Sequence, residues 1–304
     1  MFQLHSSTKS KLLSASLGLS MVLAVATQSM RADIIINGYT AATNDRFTND
    51  AAFVGAGFNF SGVGQMQGAG NLGWATAISR NVVISAAHAF PANAISFYAS
   101  NDPAGTLVTR NIIPGSGVQI PGTDLYLAVL DSNLPASIVH YNYATQALSG
   151  PAGSLANAGI YQNLNTFMFG RSPAVHPDDR DQAVGRNRIT GYVENVNFNG
   201  NPNVDALLMF FDDSSSPDFV PFEALFQGGD SGGPTFVEVN GQLVLLGTNA
   251  FIGTAGSATF SGINYTGNQA AFITNFINSV PEPTSFSLFA VGSLAVLMRR
   301  RRSA

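Results

Sequence analysis

The chain has 304 residues, of which the central part, about 250, is enough for one large or two modest domains with proper cores. It contains no cysteine, which excludes disulfides and cysteine metal sites. Between Asp33 and Val280 seven arginines and no lysine face 17 acidic residues; that net charge of −10 lacks the basic footprint nucleic acid demands. Residues 1–32 read as a secretory signal peptide. Lys9 and Lys11 form the positive n-region, Leu12–Ala26 the apolar h-region, and cleavage sites follow Ala26 or Ala32. A membrane anchor is the alternative, but the run falls short of the ~20 apolar residues needed to span.

The body is rich in Gly, Asn, Ser, Thr, Phe and Val, with short alternating runs broken by turn residues. Val82–Ser85, Leu125–Leu130, Thr166–Phe169, Asp205–Phe211 and Leu243–Leu246 read as strands. Asn37-Gly38, Asn199-Gly200 and Asn240-Gly241 mark tight turns, the last inside a hairpin from Thr235–Val239 to Leu243–Leu246. One helix is predicted, Gln269 to Ile277, with Phe272, Ile273, Phe276 and Ile277 at helical spacing. The composition predicts an all-β body closed by a helix. Beyond it, Val280-Pro281-Glu282-Pro283 precedes the apolar run Phe286–Met298 and then Arg299–Arg302. An apolar tail with a basic stop fits a segment halted in a membrane with its arginines on the cytoplasmic side.

Two segments carry candidate chemistry. Gly229-Asp230-Ser231-Gly232-Gly233-Pro234 puts a serine between glycines, which lets a substrate backbone approach and frees local amides for a developing negative charge. Alone it is a β-turn sequence. Upstream, Ser85-Ala86-Ala87-His88 follows Gly73–Ile78 and Val82–Ile84. Of the other histidines, His5 falls in the targeting segment, His140 in an apolar-polar run and His176 in a Pro/Asp loop. A serine hydroxyl is a weak nucleophile until a neighbouring base takes its proton.

These segments resemble the trypsin/chymotrypsin-like serine proteases. The match is complete at the serine motif, and Gly73–His88 follows the family's order of a Gly-led strand, a turn, an apolar strand and Thr/Ser-Ala-Ala-His. The family runs His, Asp, Ser, so the resemblance implies a carboxylate between His88 and Ser231. Asp124, opening Thr123–Leu130, fits best; Asp102 comes too soon after His88, and Asp131 ends the same strand. The implied fold is two six-stranded antiparallel β-barrels, about 33–150 and 151–279, with His88 and Asp124 in the first and Ser231 in the second. Phe169-Gly170-Arg171 and Gly185–Thr190 are looser likenesses. By the resemblance His88 is the general base, Asp124 orients it, and the Gly229 and Ser231 amides form the oxyanion hole. It also puts Leu225 at the floor of the specificity pocket, Phe226 after it and Gly247–Phe251 on the wall, which implies cleavage after apolar or aromatic residues. Ile35-Ile36-Asn37-Gly38 resembles the terminus that pairs, after activation, with the carboxylate preceding the serine, here Asp230. Signal cleavage at Ala32 leaves Asp33 first, so either a further trimming occurs or Asp230 is held otherwise. Ala89 stands where secreted animal relatives commonly carry cysteine.

Pro-Glu-Pro, an apolar run and an arginine cluster, in that order over 280–304, resemble the PEP-CTERM sorting signal. This implies an exosortase-type sorting enzyme as partner, transient anchoring by the tail, and a final place at the cell surface or outside the cell. A plain tail anchor is the alternative. The expected activity is that of an exported serine endopeptidase acting on protein or peptide without cofactor or metal. The alternatives are a catalytically silent homologue that binds at the surface or in the matrix, and an esterase with the same triad. Asp178-Asp179-Asp181 and Asp212-Asp213-Asp218 offer hard oxygens to calcium but lack an EF-hand pattern, and such runs are usually solvated loops.

Overall fold

The computed structural model describes residues 32–66, 73–91, 93–174 and 180–281. Residues 1–31 of the proposed signal segment, the apolar tail with its arginines, His176, Asp178 and Asp179 lie outside them. The chain opens with β1 (Ile35–Ile36) and a single turn of helix, α1 (Ala41–Asn44). Seven strands follow: β2 (Val63–Met66), β3 (Trp74–Ala77), β4 (Val82–Ala86), β5 (Ala94–Tyr98), β6 (Leu107–Asn111), β7 (Val118–Gln119) and β8 (Leu125–Val129). Next come β9 (Asn142–Tyr143), β10 (Asn165–Gly170), β11 (Ala183–Arg188), β12 (Gly191–Phe198) and β13 (Asn201–Phe211). The body ends with β14 (Ala224–Leu225), β15 (Pro234–Val239), β16 (Gln242–Ala255), β17 (Ala258–Tyr265) and the helix α2 (Ala270–Ser279).

Two antiparallel sheets organise these strands. The first has the order β6-β5-β2-β3-β4-β8-β7, and one bridge, Ile112 to Leu130, brings its β6 and β8 sides together. The second has the order β11-β10-β15-β16-β17-β13-β12, with β9 laid parallel to β16. A small β1–β14 ladder stands beside them. The molecule is therefore mostly β with one C-terminal helix, as its alternating runs predict. The described ladders number seven and eight strands rather than six and six, and they define curled sheets without establishing two closed barrels.

Local chemistry accounts for the connections. Asn240 and Gly241 both take positive φ (52° and 77°), and so do Asn199 and Gly200 (49° and 77°), the twist that tight hairpins require. Two strands outrun their sequence patterns. β13 starts at Asn201 rather than Asp205, and β16 continues to Ala255 because β17 pairs with it throughout, across a bulge at Ala250. Pairing there overrides the loss of alternation.

The two sheets share a core. Phe60, Val63, Trp74, Ile84, Leu125 and Leu127 from the first half pack with Phe167, Phe169, Phe236 and Leu245 from the second. Phe60 lies at the centre, its ring 4.9 Å from Phe169 and 6.3 Å from Phe236, edge-on or tilted as aromatic quadrupoles favour. Ile273 of α2 closes the same core, with Phe272, Phe276 and Ile277 packed on it, the face its spacing predicts. Arg46 adds a polar tie. Fully buried, it donates to the carbonyls of Val63, Tyr98 and Ser100, to Asn101 Oδ1 and to Gln182 Oε1. Burial pulls it down to about 10. Phe60→Ala should destabilise the protein by about 3–5 kcal/mol, since the ring leaves a cavity that both sheets line; a denaturant midpoint close to that of the parent would count against a shared core.

Candidate active site

His88 sits in a short 3-10 turn, Ala87–Ala89, immediately after β4. Asp124 immediately precedes β8, the strand paired with β4, so the ladder sets the two residues side by side; Ala86 lies opposite Leu125. The carboxylate grips the histidine twice. Oδ1 accepts the His88 backbone N–H at 3.0 Å, and Oδ2 lies 2.7 Å from Nδ1. A carboxylate at Nδ1 holds the ring as the Nδ1–H tautomer, which leaves Nε2 with a free lone pair for base chemistry. Asp124 is fully buried, whereas the His88 side chain keeps 21% of its surface.

A third group completes the pair, and it comes from the other sheet. Asn264 Nδ2 on β17 donates to Asp124 Oδ2 at 3.2 Å and to its carbonyl at 3.3 Å, while also touching Thr248 Oγ1 on β16. Sequence reasoning missed Asn264. It lies within an ordinary alternating strand, and only pairing across the sheet aims its amide at Asp124.

Ser231 lies in the loop between β14 and β15, and that loop is docked on the first sheet. Trp74 Nε1 donates to the Gly229 carbonyl at 3.0 Å. Gly232 has φ +83°, and a Cβ there would overlap Ser85 Oγ and come 3.3 Å from the Ala86 amide. Glycine at 232 thus lets the loop lie against the end of β4, two residues before His88. On its other side the loop is pinned by β16, with Gly232 N–H to Asn249 O at 2.8 Å and Asn249 N–H to Gly233 O at 2.7 Å. Among the described residues, the Gly229 and Ser231 amides donate to no acceptor, and Ser231 Oγ makes no hydrogen bond to His88. Two neighbouring undonated amides can stabilise an oxyanion.

Asp230 is fully buried, and two backbone amides hold it: Arg171 N–H to Oδ1 at 2.8 Å and Gln227 N–H to Oδ2 at 2.7 Å. Ile34 packs close by, as a Cβ on Gly170 would meet Ile34 Cβ at 2.6 Å and Asp230 Oδ1 at 2.7 Å. Burial outweighs the two amide donors and pushes the carboxyl up to about 8. Leu225 pairs with Ile35 in the small ladder, 7% exposed. Phe226 packs into the second sheet's core with Ile34, Ile36 and Met168, and its amide donates to Ser261 Oγ. Asp181 is engaged by Arg171 Nε and by the Ser172 amide, and among the described residues no acidic or histidine cluster could hold a metal ion. His140 is exposed.

The model of the PEP-CTERM protein-sorting motif matches residues 279–302, so the tail is a sorting signal recognised by exosortase-type enzymes and indicates export. No curated protein matches the chain significantly. Among the described residues no helix is long and apolar enough to cross a membrane.

The raised Asp230 carboxyl makes stability depend on pH. Its value in the fold, about 8, lies above the ordinary 3.8, so its stabilising share is complete below about pH 4 and disappears as pH rises through about 8. Unfolding midpoints measured between pH 4 and 8 should therefore fall with rising pH, with a shallower slope in Asp230→Asn. An unchanged slope would show that Asp230 is ionised throughout.

Proposed function

We propose that the protein is an exported serine endopeptidase of the trypsin-like kind, using Ser231, His88 and Asp124. The observation that supports this best is the double grip of Asp124 on His88 beside a nucleophile-type loop docked on the same strand. His88 Nε2 takes the Ser231 hydroxyl proton as Oγ attacks the substrate carbonyl carbon. The carbonyl oxygen becomes an oxyanion facing the Gly229 and Ser231 amides; one such donor is typically worth about 3–4 kcal/mol of barrier. The C–N bond then breaks, with the proton passing from His88 to the leaving amine. Water repeats the sequence on the acyl-enzyme, losing a proton to His88 and restoring Ser231. The absent Ser231–His88 hydrogen bond is compatible with this, since such contacts commonly tighten only when substrate binds.

In this reading the Ile112–Leu130 bridge closes the first sheet into a barrel, and a second barrel forms around β10–β17. The specificity pocket lies between Leu225 and the Gly247–Phe251 segment, and it accepts apolar or aromatic side chains. Asp230 needs no new chain terminus, because two amides already hold it.

A fluorophosphonate probe should label the purified body, and Ser231→Ala should abolish labelling. Asp124→Asn should slow it by about 10⁴-fold, as a tautomer-setting carboxylate requires. Equal labelling of the parent and of Ser231→Ala would sink the proposal, and turnover of esters without peptides would reassign it to an esterase.

A further inference from the structure

At the outer edge of the second sheet one guanidinium has no anionic partner. Arg186 lies on β11 opposite Phe167 of β10, and its Nε donates to the Thr166 carbonyl at 2.9 Å. The guanidinium carbon stands 4.2 Å from the centre of the Phe167 ring, a cation–π contact that holds the fork in place. Among the described residues its two terminal nitrogens donate to no acceptor, and no carboxylate forms an ion pair with it. Burial pulls Arg186 below the usual guanidinium range, and the charge of Glu238 on β15 offsets this only in part.

Arg186 lines a cavity of about 200 Å³, whose other walls are Val54, Val220, Pro221 and Phe222, with Asn165 beside them. Asn165 and Pro221 are exposed, so the cavity reaches the surface. A space of ~150 Å³ already holds a benzene-sized molecule. The wall at 220–222 is firmly held. Phe222 has φ +62°, a strained conformation for a bulky side chain, and its carbonyl accepts the Arg186 N–H at 2.8 Å. The buried Glu223 carboxyl accepts the Val220 amide at 3.0 Å and the Asp212 amide at 3.1 Å. Strain of this kind persists only where neighbouring contacts enforce it, and it gathers at ligand clamps.

A partly desolvated cation without a counter-charge is unfavourable, and an anion in the cavity would relieve it. The free edge of a guanidinium matches the two oxygens of a carboxylate. The remaining walls are almost entirely apolar, which suits a short alkyl group behind that carboxylate. A dianion fits poorly, because one guanidinium faces it while Glu238 and a body of net charge −10 oppose it. We propose that this cavity binds a carboxylate borne on a short apolar group, with Arg186 taking the oxygens and Val54, Val220, Pro221 and Phe222 covering the alkyl part. A free short-chain acid and the C-terminal residue of a polypeptide share this chemistry. The site does not depend on the hydrolase reading.

The test titrates the purified full-length protein with butyrate, its neutral isostere butyramide, and inorganic phosphate, read by saturation-transfer NMR and, for phosphate, by displacement of butyrate. Butyrate should bind saturably, with butyramide about tenfold weaker or more, the range for hydrogen bonds to a charged group. Arg186→Gln should weaken butyrate by the same factor, and Arg186→Lys, which keeps the charge but loses the fork, should fall between. Val54→Trp fills the cavity with Arg186 intact and should abolish binding, so it decides if Arg186→Gln fails to fold. The tripeptide Ala-Ala-Val, with a free or an amidated C-terminus, separates the sources. Binding of the free-ended peptide at least as tight as butyrate supports a polypeptide end, and weaker binding supports a free acid. Butyrate binding that is absent, or equal in the parent, Arg186→Gln and Val54→Trp, overturns the site. Phosphate binding tighter than butyrate overturns the carboxylate assignment. None of these outcomes depends on fluorophosphonate labelling, so this site and the hydrolase can fail separately.

Discussion

The candidate site depends on the aromatic core between the two sheets. The candidate residues His88, Asp124 and Ser231 come from opposite halves, so their separation is only as well defined as the packing that joins the halves. Phe60, Phe169, Phe236 and Trp74 interlock as rings at 4.9 to 6.5 Å, mostly edge to face. Such rings bury large areas and tolerate few alternative arrangements, so the sheets cannot slide without losing contacts on both sides. Without cysteine there is no covalent tie to share this role.

Above the core, each half positions a candidate group of the other. Trp74, from the first sheet, holds the Gly229 carbonyl beside Ser231. Asn264, from the second, holds the Asp124 carboxylate that grips His88. Trp74 is itself a member of the shared core, so packing and site geometry are coupled through one side chain. Asp124 tolerates complete burial because donors from His88 and Asn264 surround it.

Buried carboxyls elsewhere are handled differently. Asp230 and Glu223 each receive two backbone amides, with Arg171 and Arg188 respectively acting only as lesser influences. Burial dominates in both, pushing Glu223 up to about 7 as well. Glu223 binds the Asp212 and Val220 amides at the base of the acidic 212–218 loop, and thereby ties that loop to the segment that leads into β14. The same physics thus shapes the Gly229–Pro234 loop and the loop before it.

Much of this was legible locally. Strand runs at 82–85 and 166–169, the Asn-Gly turns, the apolar face of α2 and the sorting tail follow from neighbouring residues, because backbone φ and short-range periodicity are set within a few positions. His88, Asp124 and Ser231 stood out as residue types in characteristic segments. Asn264, Trp74 and Phe198 did not. Their partners lie 140, 155 and about 110 residues away, and nothing in an alternating strand announces which distant atom its side chain will meet. The sequence alone determined the β character, the turns, the terminal helix and the export signal, all short-range consequences of side-chain chemistry. The tertiary structure alone decided which strands became neighbours, how Asp230 is held, and that Phe198 lies against His88, because those outcomes depend on how whole sheets pack.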